Sequence, residues 1–194
     1  MENTVSIIKP QYQPVANIYC LSGTYGGFGG PNNMYLLFEP NKYNSNIIKI
    51  HTSPDLNLCV EETIKVITEF NKIHNLPIIL VGWSQGGYTI IKTVEKLAKT
   101  EFYKKIKSLI IISSRPEDTD YVSQMNGIKK FIICGEHDTH RRHNGSIIMY
   151  NNSAEPKFHK LIKNGTHNFE SDELKMELFD IVNKILFNET SRFV

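Results

Sequence analysis

Short runs of β-branched and aliphatic residues alternate along this chain with longer stretches in which apolar residues recur every three or four positions. The runs fall at residues 15–21, 46–51, 77–82, 107–113, 128–134 and 157–162. Several are apolar almost without a break, as in Ile78-Ile79-Leu80-Val81, Leu109-Ile110-Ile111-Ile112 and Phe131-Ile132-Ile133. A strand with one wet face would alternate apolar and polar residues, whereas a continuous run fits a strand covered on both faces, as in a parallel sheet. Helical spacing links Val60, Ile64, Ile67 and Phe70, and Pro77 closes that stretch. Tyr88, Ile91, Val94 and Ala98 form a second stripe. Leu174, Leu178, Ile181, Val182, Ile185 and Leu186 form the last, with Asp172 and Glu173 placed to suit the positive end of its dipole. This alternation predicts an α/β fold: a doubly wound, mostly parallel sheet of about six strands flanked by helices.

A length of 194 residues, with no repeat, low-complexity block or Pro/Ser-rich linker, predicts one domain over residues 1–194. With 40% hydrophobic and 22% charged residues the chain reads as a globule rather than a disordered polymer. A net charge of +2 gives no reason to expect a nucleic-acid partner. No apolar run is long enough for a membrane span, and residues 1–16 hold no signal-like apolar core. Cys20, Cys59 and Cys134 are scattered without paired spacing, which fits reduced thiols in the cytoplasm.

The sharpest chemical signal is Gly82-Trp83-Ser84-Gln85-Gly86-Gly87. In a G-x-S-x-G pattern the serine sits on a tight turn between strand and helix. The small residues two before and two after it let the two backbones approach without clash. The buried run before Ser84 and the amphipathic stretch after it supply that context.

With these residues the chain resembles the α/β-hydrolase superfamily of serine hydrolases, and its elbow is similar to the G-x-S-Q-G-G of small carboxylesterases and acyl-protein thioesterases. The resemblance implies a minimal hydrolase fold, Ser84 as nucleophile, and the chain order nucleophile, acid, base. The acid then falls after the run 128–134, in Gly135-Glu136-His137-Asp138, with Asp138 preferred and Glu136 the alternative. The base falls in Asn164-Gly165-Thr166-His167, between the last strand and the last helix. An imidazole there can take the serine proton near neutrality while a carboxylate fixes its tautomer. The resemblance further implies two backbone N–H donors for an oxyanion, one from Gln85 and one from the glycine-rich loop 22–30, where Thr24 is the expected donor. Family members often carry His-Gly at that point; this chain has Ser22-Gly23.

The segment 114–127 is too short for a helical cap, so the site is expected to be open and shaped by Tyr25, Phe28, Trp83 and that loop. Such a site suits small esters, thioesters or an acylated protein. Neither cofactor nor metal is expected. Two other readings remain: a hydrolase-fold binding protein without activity, and a metal-dependent hydrolase using loop 136–143. That loop also holds Arg141 and Arg142, which would either meet an anionic substrate or form a solvated face.

Overall fold

A computed structural model of the chain describes residues 5–23, 40–51, 53–115 and 119–193, without the side chains of His140 and Arg141. The six expected strands all form. They are β2 (Asn17–Leu21), β3 (Asn46–Ile50), β4 (Ile78–Trp83), β5 (Ile106–Ile112), β6 (Lys129–Gly135) and β7 (Lys157–Ile162). A further strand, β1 (Val5–Ile8), pairs antiparallel with β3 at one edge, Val5 opposite Ile50. The order among the described residues is β1-β3-β2-β4-β5-β6-β7, with every pair after the first parallel.

Parallel neighbours need crossovers, and the helices that make them cover both faces of the sheet. These are α1 (Pro40–Tyr43), α2 (Leu56–His74), α3 (Gln85–Leu97), α4 (His140–Asn152) and α5 (Asp172–Thr190). Successive strand side chains point to opposite faces. Ile79, Val81 and Trp83 of β4 therefore join Leu178, Val182 and Leu186 of α5 in one core layer. Ile78 and Leu80 join Ile67 of α2, Ile90, Ile91 and Val94 of α3 and Met149 of α4 in the other. With both faces covered, all six residues of β4 are buried, the reason its sequence is apolar throughout.

Helix α4 replaces part of the charged loop expected at 136–143. Beyond β5, the short 3-10 turn Asp120–Gln124 sends Val122 into the core, and Met125 follows it. Chain direction reverses between β3 and β4 on either side of β2. Ligand sites in open α/β sheets form beyond the carboxyl ends of strands at such a reversal.

Candidate active site

Ser84 stands at that edge, directly between β4 and α3, with φ 53° and ψ −113°. A left-handed φ costs a non-glycine residue on the order of 1–3 kcal/mol, so the surroundings must impose it. They do so through backbone. The Ser84 N–H donates to the Ile112 carbonyl at 2.8 Å. A Cβ on Gly82 would lie 2.4 Å from the Gly86 carbonyl, and one on Gly86 would lie 2.4 Å from the Leu21 carbonyl oxygen. Strand, helix and the neighbouring β2 thus close on the turn where only hydrogen atoms fit. Ser113, at the end of β5, and Asn164 and Phe169, beyond β7, also carry positive φ, so the strained non-glycine positions of β5 and β7 lie at this same edge.

Asp138 follows β6 and His167 follows β7. Their facing atoms, His167 Nδ1 and Asp138 Oδ2, are 3.1 Å apart. The Asp138 side chain is 0% exposed and the His167 side chain 29%, so solvent reaches the pair from the imidazole side. Burial by itself would raise the Asp138 carboxyl pKa. The hydrogen bond and charge of His167, with the Thr139 N–H at 2.7 Å from Oδ1, outweigh it and hold the pKa below the usual carboxylate value. Behind the carboxylate lies Cys134, its Sγ 3.7 Å from Oδ2. Burial first, and then the Asp138 charge, push that thiol up to about 12, which leaves it a protonated weak donor.

Glu136, the alternative acid, is exposed and accepts from the Asn164 N–H at 3.1 Å, away from the imidazole. The loop it steadies is the one that presents His167. Phe169 is fully buried beneath that loop and meets Trp83 edge-on, centroids 5.9 Å apart. Trp83, expected to shape the substrate opening, is instead only 2% exposed. Its neighbour in sequence is the nucleophile, but strand alternation turns the indole into the core beneath His167, centroids 6.5 Å apart.

Gln85 opens α3, so its backbone N–H is among those a helix start leaves without an intrahelical acceptor. Its side chain is anchored, Nε2 donating to the Ser53 carbonyl at 2.7 Å. The loop leaving β2 passes close by: a Cβ on Gly23 would stand 3.2 Å from Ser84 Cβ. Thr24, Tyr25 and Phe28 lie outside the described residues.

The position of the Arg142 side chain is not legible in the sequence. From the first turn of α4 its Nη1 donates to Ser84 Oγ at 2.9 Å and to the Ser113 carbonyl at 3.2 Å. The same nitrogen lies 2.8 Å from Nδ1 and 2.5 Å from Nε2 of His167. Among the described residues Ser84 and His167 share no direct hydrogen bond; Arg142 stands between them. The Arg141-Arg142 pair beside Asp138 was the available signal, but a sequence does not say which way a flexible side chain points. Among the described residues no three His, Cys, Asp or Glu side chains gather as a metal-ligand set.

No protein-family model matches this chain, and no curated protein sequence does. Solved structures do match it in fold. Est1E from Butyrivibrio proteoclasticus, solved with ferulic acid bound, superposes with a TM-score of 0.75 at 12% identity, over 98% of this chain and 94% of that one. A dienelactone hydrolase from Anabaena variabilis gives 0.73 at 12% identity, over 93% and 88%. A monoacylglycerol lipase from Paleococcus ferrophilus gives 0.68 at 15% identity, over 97% and 99%. The chain therefore has the α/β-hydrolase fold. At these identities the likeness establishes architecture, and chemistry has to be argued from the site.

Proposed function

We propose that the protein is a serine hydrolase that cleaves carboxylic esters or thioesters through an acyl-enzyme on Ser84. The observation that carries this reading is the strained Ser84 at the β4–α3 turn, set beside a buried carboxylate that holds an imidazole. A serine alcohol is a weak nucleophile and needs a base aligned by a third group. Asp138 accepts from His167 Nδ1–H, which leaves Nε2 as the proton acceptor.

Ser84 Oγ attacks the carbonyl carbon as its proton passes to Nε2, and the resulting imidazolium is stabilised by Asp138. Backbone N–H groups of Gln85 and of the loop after Gly23 stabilise the oxyanion. The intermediate collapses, the carbon–oxygen or carbon–sulfur bond to the leaving group breaks, and His167 returns the proton to that group. Water, deprotonated by the same imidazole, then releases the acid and restores Ser84.

Three free, buried thiols suit a reducing compartment such as the cytoplasm. Among the described residues no helix is long and apolar enough to cross a membrane. The contact of Arg142 with both Ser84 and His167 favours a second reading, a hydrolase-fold binding protein that does not turn over. Hydrolysis of short-chain activated esters by the wild type and by Ser84→Ala separates the two. A hydrolase loses on the order of 10⁶ in kcat on that change; a binding protein shows equal, background rates in both.

A further inference from the structure

Asp138 has a neighbour that the proton transfer does not use. The chain leaves β6 at Gly135 and turns back at once, the Asp138 N–H donating to the Gly135 carbonyl at 3.2 Å. That turn lays the carboxylate against a side chain of the strand it has just left: Cys134, whose Sγ lies 3.7 Å from Oδ2. Oδ2 is also the oxygen that faces His167 Nδ1, at 3.1 Å, whereas Oδ1 takes the Thr139 N–H. Two donors, an imidazole and a thiol, therefore share one carboxylate oxygen.

We propose that Cys134 is a positioning residue that acts through Asp138: its S–H donates to Oδ2 and draws off part of the negative charge with which that oxygen supports the imidazolium of His167. The proposal rests on the serine-hydrolase reading above and adds a residue that tunes the base by way of the acid.

The sulfur keeps its proton. Burial, and after it the Asp138 charge, push the thiol up to about 12; the Ser146 and Ser113 hydroxyls act in the opposite sense and do not overcome them. Cys134 and the Asp138 side chain are both 0% exposed, so solvent does not reach the bond. A thiol is a weak donor, but a charged acceptor away from water is where a weak donor counts most.

The sign follows from electrostatics. An anion beside an imidazole stabilises its charged form. A second donor on the same oxygen spreads the anion's charge and weakens that support. The thiol thus favours the neutral ring, the form that accepts the Ser84 proton. Among the described residues Arg142 of α4 also stands against the ring, and it is the same in every protein compared below. Trp83 of β4 meets the ring without a charge, and Glu136 bonds to the Asn164 N–H away from it.

The test compares wild type with Cys134→Ala, Cys134→Val and Cys134→Ser. Alanine and valine remove the donor, one leaving space and the other filling it. Serine keeps a donor, and a hydroxyl is a stronger one than a thiol. Two pH midpoints are read: that of the rising limb of kcat/KM for a short-chain activated ester, and that of His167 charging. The second is followed by NMR on histidine-labelled protein and needs no turnover. The expected result is a rise of about 0.3–1 pH unit in both midpoints for alanine and for valine, with serine at or below wild type. Alanine and valine load the core in opposite ways, so a shift they share reports the donor, and either suffices should the other not fold.

Unmoved midpoints overturn the proposal. So does a fall in the alanine and valine variants, which would mean that the thiol keeps carboxylate and imidazole together. A serine variant that moves with alanine overturns it as well, for the sulfur would then act by its bulk. Should the His167 midpoints move as expected while no protein cleaves the ester or takes up a fluorophosphonate, the hydrolase reading fails and the coupling through Asp138 stands. Ester cleavage with unmoved midpoints is the converse, a hydrolase in which Cys134 only fills space.

Discussion

The carbonyl oxygen of Gly165 lies where a side chain on Gly135 would begin: a Cβ at Gly135 would stand 2.3 Å from it. The contact joins the end of β6, which leads to Asp138, to the loop that leads to His167. The His137 N–H donates to the same Gly165 carbonyl at 2.7 Å, and the Glu136 N–H donates to the Ile162 carbonyl at 2.9 Å. The 3.1 Å approach of acid and imidazole is thus set by backbone of two loops that share one crossing point.

Gly135→Ala is therefore expected to damage the site more than the fold. The added methyl meets backbone, which yields only by moving a loop, and overpacking of this kind costs about 1–3 kcal/mol. For a chain of this size each kcal/mol lowers Tm by roughly 2–4 °C. Ester hydrolysis measured well below that Tm should still fall more than tenfold, because the loops part at Asp138 and His167. Thermal melts and rates on the same preparation check this. An alanine variant with normal kcat would show that the crossing does not set the acid–imidazole geometry.

Replacing the two candidate acids ranks them. Asp138→Asn turns an acceptor toward His167 into an amide and should cost roughly 10⁴ in kcat through the wrong imidazole tautomer. Glu136→Gln changes a carboxylate bonded to the Asn164 N–H and should cost less than tenfold, since an amide oxygen accepts as well. The reverse ranking would move the acid's role to Glu136.

The depressed Asp138 pKa makes stability depend on pH in a defined direction. Because the folded protein favours the carboxylate, the stability it contributes is present above the unfolded value of about 3.9 and is lost as pH falls through the lower folded value. The Tm of wild type minus that of Asp138→Asn should shrink as pH is taken from about 6 to about 3, because the asparagine has no such dependence. A difference that stays flat or widens over that window would mean the carboxylate is not held in its charged form by His167 and Thr139.

Much of this architecture can be read from residue pattern alone, for a physical reason. A strand buried on both faces has to be apolar throughout, so β4, β5 and β6 announce themselves. The edge strand β1 does not. Its Val5 and Ile7 are exposed, it has one pairing neighbour among the described residues, and Val5-Ser6-Ile7-Ile8 is too short to show a period.

Helix α4 leaves no mark in the pattern for a related reason. Its sequence, His-Arg-Arg-His-Asn-Gly-Ser at the start, has no apolar stripe, and the helix is fixed late by Met149 against the core. At the site, Ser84, Asp138 and His167 fall just beyond the carboxyl ends of β4, β6 and β7, as the chain order implied by the resemblance requires, because strand ends are a property of topology. Side-chain direction is not. Trp83 turns inward with its strand, and Arg142 reaches across to Ser84 from a helix the pattern does not reveal.

The central claim is that Ser84 is an activated nucleophile, and the most direct measurement is covalent. Purified protein is treated with a fluorophosphonate, and the modified residue is mapped by peptide mass spectrometry. The account predicts a single phosphonyl adduct on Ser84 Oγ, none on Ser84→Ala, and much slower labelling of His167→Ala, which lacks the base. No adduct on folded wild type, an adduct on another residue, or undiminished labelling of His167→Ala would contradict it.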